Sequence, residues 1–254
     1  MKMFDLTGKV AVVTGGNGGI GLGMAHGLAR AGADIVIAAR NPDKNAAALE
    51  QLRGEGIRAE AIATDIRDPQ ACRALIENTV ETLGRVDILV NNSGINHLKL
   101  PQDFSLEEFR DVIDTNLTAA FLLSQAVYPH FLSQGGGKII NVASIAANQA
   151  GPVGVAYSPS KAGLVQMTKV LAVAWAKDNI QVNAILPGWI ETPLSIRSRA
   201  EITGLHEAVV ARTPAGRWGS AEDFAGAAVY FASAAANFAN GSTLVIDGGY
   251  SSKI

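Results

Sequence analysis

Seven short runs rich in apolar and β-branched residues punctuate the chain, at positions 10–13, 34–38, 58–63, 87–90, 138–142, 181–185 and 243–246. Between them lie longer stretches whose apolar residues recur at spacings of three and four, such as 19–31, 69–83, 106–131, 157–176 and 221–234. Strand, helix, strand in repetition predicts βαβ units, because parallel pairing needs a long crossover and a helix supplies it. The strand-like runs are mostly apolar throughout instead of alternating, so they are expected to be covered by helices on both faces. The expected fold class is α/β, a doubly wound, seven-stranded, mostly parallel sheet in one domain spanning residues 1–254. A chain of 254 residues with 48% hydrophobic content can bury one large core. The segment 189–214 breaks the rhythm: it carries Pro193, Gly204 and Pro214 and no clear strand. An excursion of that length in a compact domain is expected to be a lid or binding loop without strong secondary structure.

Charge and cysteine content remove several function classes. The net charge is −2 and no Lys/Arg block occurs, so neither nucleic acid nor an anionic membrane surface is an expected partner. A small molecule is. The apolar run 170–176 is far short of the roughly 20 residues of a membrane span. The first residues, Met1 to Asp5, contain no uninterrupted apolar stretch of the secretory kind, and a cytoplasmic location is expected. Cys72 is the only cysteine, which excludes an internal disulfide and a cysteine-built metal site. It shares a helix side with Leu75 and Ile76 and is expected to be a buried structural thiol.

Immediately after the first strand comes Thr14-Gly15-Gly16-Asn17-Gly18-Gly19-Ile20-Gly21-Leu22-Gly23, running into a helix. Glycines there let backbone amides approach a pyrophosphate at the positive helix end, and let the helix pack closely on the sheet. No Gly-Lys-Ser/Thr follows, so a triphosphate loop is excluded. A Rossmann-type dinucleotide site is the remaining reading. The second strand ends in Ala39-Arg40-Asn41, where an NAD site usually presents an acid to the ribose diol. Arg40 in its place favours NADP(H), through an ion pair with the 2′-phosphate, while NAD(H) held by backbone contacts stays open. Asp65 after the third strand and Asn91-Asn92-Ser93-Gly94 after the fourth also fall at strand C-terminal ends, where such sheets bind ligands.

Tyr157 and Lys161 stand four positions apart at the start of a helix and therefore share one face. An ammonium beside a phenol favours the phenolate and suits proton transfer to or from a carbonyl or alcohol oxygen. With these pieces in order, nearly the whole chain resembles the short-chain dehydrogenase/reductase family. The likeness rests on Thr14-Gly15-x-x-x-Gly19-Ile20-Gly21, on Asn91-Asn92-Ser93-Gly94 with Ser93 in place of alanine, on Asn116, Ser144, Tyr157 and Lys161 as a catalytic tetrad, on Pro187-Gly188 with Thr192, and on Asp247-Gly248-Gly249.

The resemblance implies that Ser144 holds the substrate oxygen, that Tyr157 gives or takes its proton, that Lys161 holds the cofactor ribose and lowers the tyrosine pKa, and that Asn116 positions a water. It implies a cofactor half over about 1–140 and a catalytic and substrate half over about 141–254. Cofactor contacts are expected from Gly15, Asn17, Gly18, Gly19, Ile20, Gly21, Arg40, Asp65, Ile66, Asn92, Ser93, Gly94, Tyr157, Lys161, Pro187, Gly188, Ile190 and Thr192. Substrate contacts are expected from Ser144, Tyr157 and Trp189. The stretch Arg212-Thr213-Pro214-Ala215-Gly216-Arg217-Trp218-Gly219 looks like the branch acting on gluconate-type sugar acids. Arg197, Arg199, His97, Lys99, Asn148 and Gln149 are compatible with an anionic, hydroxyl-rich substrate. A 3-oxoacyl-carrier-protein reductase is the alternative, although Gly18 stands where those enzymes usually carry an arginine. A nonenzymatic cofactor-sensing relative is more remote, since all four tetrad positions are present. Excess apolar surface on 106–131, 157–176 and 221–236 points, with the family's habit, to a homotetramer.

Overall fold

A computed structural model describes residues 2–253, apart from the side chain of Arg197, so the expectation placed on that arginine lies outside the described residues. The strands are β1 (Val10–Thr14), β2 (Asp34–Ala38), β3 (Ala59–Ile62), β4 (Ile88–Asn91), β5 (Gly137–Val142), β6 (Ile180–Pro187) and β7 (Thr243–Ile246). They form one sheet in the order β3-β2-β1-β4-β5-β6-β7, and all six pairings are parallel. The order reverses between β1 and β4. The loops leaving their C-terminal ends diverge there and open a crevice.

The helices are α1 (Gly19–Arg30), α2 (Pro42–Arg53), α3 (Pro69–Leu83), α4 (Leu106–Ile113), α5 (Ala119–Ser133), α6 (Tyr157–Trp175), α7 (Pro193–Glu201), α8 (Leu205–Arg212) and α9 (Ala225–Ala232). Local chemistry starts several of them. Asn41 and Asp68 accept N–H bonds at the starts of α2 and α3, each followed by a proline whose missing N–H is not needed in a first turn.

Strand alternation divides the core in two. Ala11 and Val13 of β1 and Ile35 and Ile37 of β2 pack with Met24, Leu28, Phe224 and Phe231 on one face. Val10, Val12 and Val36 pack with Leu75, Leu123, Val127 and Phe131 on the other. Complete burial of a side chain such as Phe131 or Phe224 contributes roughly 1.5–3 kcal/mol. The first face closes tightly because α1 presents Gly27 to α9, where a Cβ would lie 2.7 Å from Ala225 O. Cys72 is buried as expected, with Sγ 3.1 Å from Ile66 O, and burial pushes its thiol up to about 11.

Four expectations need correction. The stretch 106–131 is two helices joined by a π-helical turn, Asp114–Thr118, and that wider turn carries Asn116. Residues 221–234 begin as a 3-10 turn, Ala221–Phe224, before α9. The excursion 189–214 is not irregular: it folds into α7 and α8. Thr192 caps α7 reciprocally with Ser195, Pro193 opens it, and Gly204 at φ 75° separates it from α8. Both helices are short and weakly amphipathic, so periodicity did not reveal them, although Thr192-Pro193 carried a start signal. Finally, β7 is not covered on both faces. Thr243, Leu244 and Val245 are exposed at the sheet edge.

Candidate active site

The crevice above β1 and β4 is one continuous cleft of about 1200 Å³. That exceeds the roughly 300–1,000 Å³ of sites for a single drug-sized ligand, leaving room for a dinucleotide and a small substrate together. Its floor is the loop from β1 to α1. Gly15 (φ 63°) and Gly19 (φ 52°) adopt left-handed backbone, which a side chain would strain. A Cβ on Gly21 would overlap Asn92 Nδ2 and lie 2.5 Å from Gly15 O. Helix α1 starts at Gly18 without a side-chain cap, so its first amides stay available to an anion in the cleft. These features fit a dinucleotide pyrophosphate.

Thr14 fastens the β1 and β4 ends together. Its Oγ1 accepts the N–H groups of Asn92 at 2.9 Å and Ser93 at 3.0 Å, and Asn92 Nδ2 donates to Thr14 O at 2.9 Å. On the β2 side, Asn17 Nδ2 donates to Asn45 Oδ1 and Asn45 Nδ2 to Ala39 O, which locks α2 beside the glycine loop. Asn41 is occupied in capping α2. Arg40 is exposed and forms no salt bridge to any described residue. Asp65 is gripped by Arg67 at 2.7 Å, and that guanidinium holds its carboxyl down at about 2. Ile66 is buried in the core and also borders the cleft.

The four tetrad positions converge from three separate segments. Ser144 follows β5, its Oγ accepts the Ala146 N–H at 3.1 Å, and it lies close enough to Tyr157 for its hydroxyl to favour the phenolate. Lys161, one turn into α6, is 3% exposed; its Nζ donates to Val142 O at 2.9 Å and lies 5.7 Å from the Tyr157 ring centroid. Burial draws the Lys161 ammonium down to about 8. Burial also pushes the Tyr157 phenol up, with the nearby Ser144 hydroxyl acting against it. The expected lowering of the tyrosine by the lysine is therefore not the dominant effect here, because desolvation of the phenolate outweighs it.

Asn116 reaches the site from the π turn. Its Nδ2 donates to Ile95 O and to Ser160 Oγ, each at 3.0 Å, and its Oδ1 accepts the Ile95 N–H at 2.8 Å. Ser160 Oγ in turn donates to Tyr157 O at 2.6 Å. Asn116 thus ties the loop after β4 to the first turn of α6. Both of its amide hydrogens are used, so a bridging water would have to donate to Oδ1 or to the backbone carbonyl. Gly94 lets these parts meet: a Cβ there would stand 3.2 Å from Lys161 Nζ and 3.3 Å from Asn116 Oδ1. The sequence showed Thr14 only as the start of the glycine motif and gave Ser160 no role, because nothing local marks a hydroxyl that bonds to a segment dozens of residues away.

The far wall follows β6. Gly188 N–H donates to Ile246 O, and a Cβ on Gly188 would lie 2.5 Å from Asp247 Cβ. Thr192 is committed to capping α7, with its methyl beside Gly19. Ile190 is buried in the core. Trp189 lines the cleft and meets Trp218 and Tyr250 edge-on, at 5.5 and 6.5 Å between centroids. Of the side chains thought compatible with an anionic substrate, Gln149 lines the cleft. Lys99 pairs with Glu108, His97 lies 3.5 Å from Asp111, and Asn148 is not on the wall. Arg199 lies 4.5 Å over the Trp218 ring and bonds Glu191. Arg212, Tyr250 and Asn96, on the wall, were not expected there.

A family model described as Enoyl-(Acyl carrier protein) reductase matches residues 15–251. The chain is 41% identical over 251 residues to 2-dehydro-3-deoxy-D-gluconate 5-dehydrogenase of Escherichia coli (strain K12), covering 98% of each. It is 36% identical to gluconate 5-dehydrogenase of Gluconobacter oxydans (strain 621H), covering 97% of this chain and 96% of that one. Among solved structures, a gluconate 5-dehydrogenase from Burkholderia cenocepacia J2315 in complex with NADP and tartrate superimposes with a TM-score of 0.94 at 38% identity, covering 100% and 99% of the two chains. No helix of the described residues is long and apolar enough to cross a membrane, and no group of three or more His, Cys, Asp or Glu among them is placed to hold a metal ion. A parallel sheet with its crevice at the β1/β4 reversal, a glycine-cradled helix start and relatives named as dehydrogenases and reductases over the full length lead to one conclusion: the chain belongs to the short-chain dehydrogenase/reductase family and is an NAD(P)-dependent oxidoreductase.

Proposed function

We propose that this enzyme interconverts a secondary alcohol and a ketone on a sugar acid or a related polyhydroxy substrate, with NADP(H) as its cofactor. The observation that carries the reading is the convergence of Ser144, Tyr157 and Lys161 on one wall of a cleft whose floor fits a dinucleotide. Ser144 Oγ holds the substrate oxygen, and Tyr157 Oη donates a proton to it in reduction or accepts one in oxidation. Lys161, fixed by Val142 O, offers its remaining hydrogens to the cofactor ribose and stands ready to refill the tyrosine. Asn116 holds the loop and helix that carry them and leaves Oδ1 or its carbonyl for a water leading to solvent. A bound NADP(H) supplies or accepts the hydride at the substrate carbon.

Arg40 supports the phosphorylated cofactor, since an exposed guanidinium that forms no salt bridge with any described residue suits a 2′-phosphate. The named activities of the relatives, and the Burkholderia enzyme's complex with NADP and tartrate, support an acidic polyhydroxy substrate. A cytoplasmic setting, where a lone thiol stays reduced, goes with this reading. The decisive assay is a panel of gluconate-type acids, simple sugars, polyols and acetoacetyl thioesters, each with NAD(H) and NADP(H). The expected result is the highest kcat/KM on a sugar acid with NADP(H). Turnover of thioesters alone would favour the acyl-reductase alternative, and a strong NAD(H) preference would remove the role given to Arg40.

Self-association belongs to the same proposal. Phe121 and Leu132 of α5, Val170 and Val173 of α6, Tyr230 of α9 and Leu244 and Val245 of β7 are large apolar side chains left exposed. Burying them against other copies supports a homotetramer with two kinds of two-fold contact. Sedimentation should return a tetramer; a monomer at micromolar concentration would refute it.

A further inference from the structure

A sugar acid brings a carboxylate into the cleft, and the tetrad offers it no partner. Among the described residues five cations line the cleft: Arg40, Lys44, Arg67, Lys161 and Arg212. Arg40 and Lys44 follow β2, at the adenosine end. Arg67 is closed off, with bonds to both oxygens of Asp65 and a further bond to Asp111. Lys161 is buried and fixed on Val142 O. The other described lid cation, Arg199, is held over Trp218 and by Glu191 and is not on the wall.

That leaves Arg212, the last residue of α8. It is exposed and forms no salt bridge with any described residue. Its guanidinium carbon lies 4.5 Å from the centroid of the Tyr250 ring, and Tyr250 in turn meets Trp189, directly after Gly188 on the substrate wall. Lys253 Nζ donates to Ala211 O at 2.9 Å, so the C-terminal segment is fastened to the end of α8 and keeps Tyr250 against the guanidinium. A cation–π contact of this kind uses up none of the guanidinium N–H donors, so a carboxylate can still take two of them in parallel bonds.

We propose that Arg212, seated on Tyr250, pairs with the substrate carboxylate and makes this enzyme select sugar acids. The inference rests on the sugar-acid reading above, and the two can fail separately. The test compares Arg212→Gln and Arg212→Lys with wild type on whichever of D-gluconate, 5-keto-D-gluconate and 2-dehydro-3-deoxy-D-gluconate the wild type turns over, alongside the Kd for NADP(H). Loss of a charge-assisted pair predicts that Arg212→Gln raises KM about 10- to 100-fold with kcat and cofactor Kd changed by less than about threefold. Arg212→Lys, which keeps the charge and loses the fork, should recover part of the KM. An unchanged KM in Arg212→Gln overturns the inference alone, as does a loss shared equally by kcat and cofactor binding, which would mark a merely structural arginine. A wild type that turns over none of the gluconate-type acids, 2-dehydro-3-deoxy-D-gluconate included, overturns the sugar-acid reading and the inference with it.

Discussion

Tyr157→Phe lowers turnover by about two to four orders of magnitude while NADP(H) still binds, the loss expected when a positioned general acid/base is removed. Phenylalanine keeps the ring that packs 5.7 Å from Lys161 Nζ, so the wall of the cleft survives and only the hydroxyl is lost. The measurement is kcat on the best substrate of the panel beside cofactor Kd by fluorescence. Turnover within tenfold of wild type would show that another group moves the proton. Carried across pH on the wild type, the same assay reads the pair. Burial has drawn Lys161 down to about 8 and pushed Tyr157 up, so the first proton leaves the Tyr157–Lys161 unit near pH 8. Below that value the unit is fully protonated and cannot accept the alcohol proton. Oxidation therefore falls as pH drops through about 8, while reduction, whose proton the raised Tyr157 phenol still holds there, does not fall as pH rises through that value.

Gly21→Ala is expected to weaken NADP(H) binding more than about 100-fold and to destabilise the fold by about 1–3 kcal/mol. The added methyl overlaps Asn92 Nδ2 and lies 2.5 Å from Gly15 O; the second is backbone and cannot swing aside. The Asn92 amide also bonds Thr14 O, so displacing it loosens the tie between β1 and β4 on which the whole floor depends. Gly18→Ala is the matched control. Gly18 has extended backbone at φ 176° and nothing within 4 Å of a Cβ, so its substitution leaves the melting temperature in place. Chemical denaturation and cofactor titration of the pair check the contrast. A Gly21→Ala protein with wild-type midpoint and Kd would mean that the close approach is not what requires glycine there.

Much of the framework was readable because its causes are local. The seven strand runs, the capped and proline-opened starts of α2 and α3, and the glycine loop between β1 and α1 all appear where short-range chemistry puts them. What escaped was set by contacts distant in sequence. Asn116 lies in helical sequence, and nothing nearby announces that the helix widens there so that its amide can reach Ile95 and Ser160. The lid was read as irregular because α7 and α8 are too short for periodicity to show. The sequence offered Arg199 for an anion and gave Arg212 no such role, yet Trp218 and Glu191 hold the first while Tyr250 seats the second on the cleft wall.

By itself, then, the sequence determined the layered sheet, the place of the cofactor loop and the Tyr157–Lys161 pair, since each depends on backbone conformation and spacing within a few residues. Only the tertiary structure decided which charges are free, which way burial moves Tyr157 and Lys161, and which side chains share the cleft. Those properties depend on desolvation and on partners contributed by segments far apart in the chain, and folding alone brings such groups within a few ångströms.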